Sequence, residues 1–253
     1  MTWLIGIRAR GDRTTASGDR TTAPTGGADA AAGQPAPTPP PSPAGTRKRS
    51  LTEVLADPRI RLGAGAAALL VTAVVARRDH VTHAEDLVFR SVNGLPDSLY
   101  PPAWTVMQLG TLGAVPAAAG VAWLAADGEL AGRLLASGTA TWALSKLVKQ
   151  IVRRPRPATL LPGTRCRGRE AAGLGYLSGH AGVAVALGAA ALPRLGPAGR
   201  PLALSVIPLV GLTRVYVGAH LPLDVAGGAA LGLTAEAAVR LAQSRLRHHP
   251  GVA

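Results

Sequence analysis

Residues 102–126 contain no charged side chain. A helix of that length, rising 1.5 Å per residue, is long enough to cross the roughly 30 Å hydrocarbon layer of a bilayer. Five further apolar segments accompany it, at about Ile60–Ala76, Leu130–Val152, Ser178–Leu195, Pro201–Gly218 and Pro222–Val239. Charged residues make up only 16% of the chain, below the roughly 25% usual in soluble domains. Arg133, Arg194 and Arg240 fall near segment ends, where a long side chain can reach the interface. The pattern predicts an all-α fold, a six-transmembrane-helix bundle. Pro102–Ala126 is its clearest span and Ile60–Ala76 its shortest. Small-residue runs such as Gly228-Ala229-Ala230-Leu231-Gly232 suit close helix–helix approach.

The domain plan follows from the same contrast. Residues 1–55 read as a disordered, Pro/Ala/Thr-rich tail, with Pro-Thr-Pro-Pro-Pro-Ser-Pro at 37–43. Gly-Asp-Arg-Thr-Thr-Ala occurs from Gly11 and again from Gly18, a low-complexity duplication without an apolar face. Residues 56–245 form the helical membrane domain, and 246–253 a short C-terminal tail. The stretch from His80 to Pro101 predicts a short interfacial helix. His80 and His83 lack clear further ligands, and His248 and His249 sit in the tail, so all four read as solvated rather than metal-binding. The single cysteine, Cys166, precludes an intramolecular disulfide and a cysteine-rich zinc site.

The net charge of +13 is compatible with nucleic acid, an anionic membrane surface or an anionic substrate. No nucleic-acid-binding module and no basic patch with stacking aromatics is present, which sets nucleic acid aside. The excess lies in the N-terminal tail, at segment ends and in the loop from Arg153 to Arg169.

Ionisable residues in or beside membrane helices are costly and point to function. Lys149 lies near the end of the third segment, His180 at the start of the fourth and Arg214 near the end of the fifth. His220 and Asp224 bracket the start of the sixth. Successive spans alternate in direction, so these positions share one side of the membrane. Lys149, Arg156 and Arg214 supply positive charge, and arginine can bind phosphate oxygens through paired hydrogen bonds. Ser178 and Gly179 open a helix whose free N–H groups suit an anion. His220 and Asp224, four residues apart, can share a helix face. The carboxylate can hold one imidazole N–H and leave the other nitrogen free to attack, while His180 is available as an acid. Charge neutralisation, nucleophile, orienting carboxylate and acid are the parts of a phosphoryl-transfer site.

The ordered set resembles the type 2 phosphatidic acid phosphatase superfamily of membrane lipid phosphatases. Its Lys-x6-Arg-Pro motif matches Lys149 through Arg156-Pro157. Its Pro-Ser-Gly-His motif matches Leu177-Ser178-Gly179-His180, with leucine in place of proline. Its Ser-Arg-x5-His-x3-Asp motif matches Thr213-Arg214, His220 and Asp224, with threonine in place of serine. The resemblance spans residues 60 to 243. It implies that His220 is the nucleophile, oriented by Asp224, and that His180 protonates the departing oxygen. Lys149, Arg156, Arg214 and the Ser178–Gly179 backbone would hold the phosphate, with no metal or cofactor. Leu177 could loosen the entry to the fourth helix and displace the Ser178 and Gly179 N–H groups.

Arg47, Lys48 and Arg49 precede the first span, and Arg245 and Arg247 follow the last. By the positive-inside rule both termini are cytoplasmic and the site faces the extracytoplasmic side of a multi-pass cell-membrane protein. The expected partners are the bilayer and a lipid phosphate or polyprenyl diphosphate, with an undecaprenyl carrier as one candidate. An anionic-lipid binding or transport protein, or an inactive member of the same fold, is the alternative. The apolar spans set aside a soluble vanadate haloperoxidase with a similar site.

Overall fold

The structure is a computed structural model that describes residues 57–78, 80–168 and 172–248. The expected tail, its duplicated segment and the basic run at 47–49 lie outside these residues, as does His249. Among the described residues the chain is all-helical. The helices are α1 (Pro58–Ala76), α2 (His83–Asn93), α3 (Tyr100–Met107), α4 (Ala114–Leu124), α5 (Gly128–Val152), α6 (Gly179–Ala191), α7 (Gly199–Tyr216) and α8 (Pro222–His248). Short 3-10 turns occupy Asp97–Leu99, Gln108–Gly110 and Leu192–Arg194, and a single helical turn spans Pro157–Leu160.

Local sequence sets the helix starts. Asp57 accepts a hydrogen bond from the Arg59 amide at 2.8 Å, with Pro58 in the first turn. Thr82 caps α2 through the Glu85 amide, and Asp127 caps α5 through the Leu130 amide. Pro222 opens α8. There Asp224 Oδ2 accepts from the Leu221 amide at 2.9 Å, the reach-back half of a capping box.

The six predicted segments each become helix, but not six uniform rods. Residues 102–126 form α3 and α4, bent by 68° at the break. The apolar run conceals the break because Gly110-Thr111-Leu112-Gly113 costs little hydropathy while weakening the helix. Gly110 also presses on α6, where a Cβ on it would come 2.5 Å from the His180 carbonyl oxygen. The fourth segment yields only the thirteen residues of α6 before the 3-10 turn. By length and apolarity, α1 and α8 could each cross a membrane, and the bent α3–α4 pair would be a third if it acts as one span. Helix α5 is long enough, but Glu129, Arg133, Lys146 and Lys149 interrupt its apolarity. Helix α8 continues to His248, beyond the expected end at Val239.

Helix α8 packs against α1, α5, α6 and α7, so the C-terminal half of the chain forms the centre. Small residues make this possible. A Cβ on Gly182 of α6 would meet the Gly228 carbonyl oxygen at 3.0 Å, and one on Gly232 would overlap the Gly182 carbonyl oxygen. Helix α5 buries Ser137, Thr141 and Ser145, whose hydroxyls donate to carbonyls of their own helix at 2.7–2.8 Å. A second cluster of Val115, Leu130, Leu134, Val183 and Leu187 joins α4, α5 and α6.

At the end of α5 away from Lys149, charges pair with one another. Glu129 contacts Arg133, Arg194 and Arg247, and Asp127 contacts Arg194 at 2.9 Å. Nearer α1, Arg61 meets the fully buried Glu236 at 3.0 Å. Leu70, Val71 and Val74 of α1, and Trp123 and Leu124 of α4, lie exposed. Such large side chains facing outward suit a hydrocarbon environment.

Candidate active site

The end of α5, the start of α6, the end of α7 and the turn into α8 meet around a cavity of about 210 Å³. Lys149, Arg156, Gly179, His180, Arg214 and His220 line it. Ser178 and Asp224 stand directly behind the wall, both fully buried. The structure brings the eight predicted residues into one place.

Each cation is held differently. Lys149 Nζ donates to the carbonyls of Leu174 and Gly175, both at 3.1 Å, which ties α5 to the segment entering α6. Arg156 donates to Ala172 O through Nε and a terminal nitrogen, and to Ala219 O at 2.7 Å. It therefore fastens the loop behind the cavity as well as lining it. Burial lowers the Arg156 pKa from its ordinary value, with Asp224 acting the other way. Arg214 has the freest guanidinium: it contacts Met107 Sδ at 3.1 Å, and its buried Nε has no hydrogen-bond partner. A partly buried, under-satisfied arginine facing a cavity is suited to an anion.

Ser178 is the N-cap of α6, its hydroxyl accepting from the Ala181 amide at 3.4 Å. Its own amide donates to the Asp224 carbonyl oxygen at 2.9 Å, locking the start of α6 to the start of α8. Leu177 is fully buried with Ala76, Val152, Tyr176 and Leu231. Despite the leucine, Ser178 caps the helix and Gly179 reaches the cavity wall.

His220 lies in the turn between α7 and α8, fixed by a hydrogen bond from its amide to the Arg214 carbonyl at 3.2 Å. Its Nδ1 is 3.7 Å from Asp224 Oδ2, an ion-pair separation rather than a hydrogen bond, and has no nearer polar partner. Burial pushes the His220 imidazole down to about 4, with Asp224 opposing the shift. Near neutral pH it is therefore an uncharged base.

Sequence reasoning missed two residues behind this pair. Arg154 donates to both carboxylate oxygens of Glu85, at 3.0 and 2.7 Å, and to Asp224 Oδ1 at 3.0 Å. The Arg153-Arg154-Pro155-Arg156-Pro157 run contains the first of these residues beside a recognised motif. Glu85 lies in the mixed segment that predicts only an interfacial helix, and nothing in its spacing marks it.

A larger cavity of about 360 Å³ shares Arg156 and Arg214 as walls and is lined on its far side by Tyr100, Trp104 and Cys166. His80 and His83 are exposed. Among the described residues no group of three or more His, Cys, Asp or Glu side chains is placed to hold a metal ion.

Among the described residues the chain is all-helical with apolar outer faces, and it gathers four cations, Lys146, Lys149, Arg156 and Arg214, and two imidazoles around one cavity. Residues 130–247 match the PAP2 superfamily. A decaprenylphosphoryl-5-phosphoribose phosphatase of Mycobacterium tuberculosis is 37% identical over 97 residues, 38% of this chain and 52% of the relative. The same match recurs in a second strain. The chain thus spans about half the length of the curated relatives it matches. Among solved structures, Aquifex aeolicus LpxE aligns with a TM-score of 0.57 at 21% identity, covering 61% of this chain and 93% of that one. A transmembrane PAP2-type phosphatidylglycerolphosphate phosphatase from Bacillus subtilis aligns with a TM-score of 0.54 at 21% identity, covering 74% and 97%. At that identity the two structures speak for the fold.

Proposed function

We propose that this protein is a multi-pass membrane phosphatase that hydrolyses a lipid phosphate or polyprenyl-linked phosphate through a phosphohistidine, without a metal. The observation that carries the proposal is the single cavity lined by Lys149, Arg156, Arg214, Gly179, His180 and His220. Neutral His220 attacks phosphorus through its free nitrogen. The bond from phosphorus to the ester oxygen breaks, and His180 delivers a proton to that oxygen. Water, deprotonated by His180, then attacks the phosphohistidine and regenerates His220. The cations and the N-terminal amides of α6 hold the three equatorial oxygens.

Residues 56–245 are the membrane domain in this proposal, flanked by tails at 1–55 and 246–253. The six helical segments, counting α3–α4 as one, make six crossings. Both termini are cytoplasmic and the site faces outward. Similarity to a phosphatase of a decaprenyl-linked phosphosugar supports a polyprenyl-linked substrate, and an undecaprenyl diphosphate belongs to the same class.

Phosphate release by detergent-purified protein tests the assignment. Phosphatidic acid, phosphatidylglycerol phosphate and an undecaprenyl diphosphate would be offered with and without chelator. Release that survives the chelator is expected, fastest with the polyprenyl substrate. No release from any of the three by folded protein would favour the anionic-lipid binding reading. Protease access to an N-terminal tag in sealed right-side-out vesicles tests the orientation, since external digestion would refute it.

A further inference from the structure

The Glu85–Arg154–Asp224 triad lies outside the cavity, yet it ends on the carboxylate that faces His220. Its side chains are 8%, 2% and 0% exposed. Breaking a buried charged triad leaves an uncompensated charge, so its members are strongly coupled. Arg154 binds Glu85 bidentately, the geometry in which a guanidinium is most firmly oriented. Its terminal nitrogen Nη1 bridges Glu85 Oε1 and Asp224 Oδ1, both at 3.0 Å. Glu85 Oε1 also accepts from the Leu223 amide at 3.1 Å, so α2 holds the first turn of α8 directly.

Asp224 is consequently fixed at both oxygens. Oδ1 accepts from Arg154, and Oδ2 accepts from the Leu221 amide while facing His220 Nδ1. The main chain adds a further restraint, because the Asp224 carbonyl accepts from Ser178. Without Arg154, Glu85 and Asp224 would be two neighbouring buried carboxylates with no cation between them, and they could not both stay ionised.

We propose that Arg154 and Glu85 are positioning residues: they lock the Asp224 carboxylate so that the charge on Oδ2, 3.7 Å away, favours the His220 tautomer protonated at Nδ1 and leaves Nε2 free. The proposal rests on the phosphatase reading for its kinetic consequence but not for its structural one. Helix α2 is thereby a working part of the site, although none of its residues lines the cavity.

The test combines turnover with nitrogen NMR of histidine-labelled, detergent-solubilised protein. The His220 signals are assigned by their loss in His220→Ala. In Arg154→Met, kcat falls roughly 10- to 100-fold, as when the outer partner of a metal-bound histidine is removed. KM changes by less than about twofold, because neither Arg154 nor Glu85 touches the substrate cavity. The proton moves away from His220 Nδ1 in the spectrum. Arg154→Lys restores part of kcat and of the Nδ1 signal.

A folded Arg154→Met protein with unchanged kcat overturns the proposal. So does a fall in kcat with the His220 Nδ1 signal unmoved, which would mark the triad as structural only. If Arg154→Met does not fold, Glu85→Gln decides. It keeps one acceptor oxygen for Arg154, and a several-fold loss of kcat with a shifted Nδ1 signal is expected. No change in either would overturn the proposal. If the wild type releases no phosphate while the Nδ1 signal still responds to Arg154, the phosphatase reading fails and the positioning role stands.

Discussion

Gly228 of α8 lies so close to the carbonyl oxygen of Ser178 that a methyl group on it would overlap that oxygen. The contact sits one residue from Gly179 and two from His180, so helix packing and site geometry are one problem here. Gly228→Ala is expected to destabilise the protein by about 1–3 kcal/mol, the usual range for overpacking. The overlap is also expected to displace the start of α6. Thermal unfolding in detergent would show a lowered midpoint, and phosphate release would fall with it.

Arg214 is the cation with the most donor capacity left for an anion. Arg214→Ala is expected to lower kcat/KM by at least roughly 100-fold, the scale of losing one main donor to transition-state charge. Arg214→Lys recovers only a minor share, since an ammonium cannot replace the planar fork. Steady-state kinetics on both variants checks this.

The pH dependence follows from His220. Its ordinary value is 6.5 and burial pushes it down to about 4. Between those values the folded protein keeps the imidazole neutral while the unfolded chain protonates it. The acid limb of activity should therefore fall near pH 4 rather than 6.5. His220 should also make the protein less stable as pH drops from 6.5 towards 4, because the unfolded state binds the extra proton. Activity and thermal midpoint measured from pH 4 to 8 report both effects.

Tyr176 offers a control away from the chemistry. Its hydroxyl meets Thr72 Oγ1 at 2.8 Å and donates to the Leu69 carbonyl at 3.3 Å, tying α1 to the segment before α6. Tyr176→Phe removes both bonds and should cost about 1–3 kcal/mol, and leave kcat near wild type. Unfolding and turnover on the same preparation separate the two.

Much of this was legible in the sequence, because residue spacing records helix ends. Lys149, His180, Arg214, His220 and Asp224 each sit at a segment boundary, and alternation of direction alone predicts their meeting. The bend after Gly110 was not legible, since hydropathy is blind to a glycine-rich break inside an apolar run. Arg156 was legible as a cation but not as a clamp on Ala172 and Ala219, which depends on loop geometry. Glu85 was hidden for a different reason. It lies far from Asp224 along the chain, and its role exists only once α2 folds onto the start of α8.

The most direct test of the account is to trap the phosphoenzyme. Purified protein would be mixed with a phosphate-labelled lipid substrate and quenched within a turnover. The account predicts label on the wild-type protein, stable in base, labile in acid and absent from His220→Ala. Label that persists in His220→Ala, or turnover retained by that variant, would contradict the claim that His220 is the nucleophile.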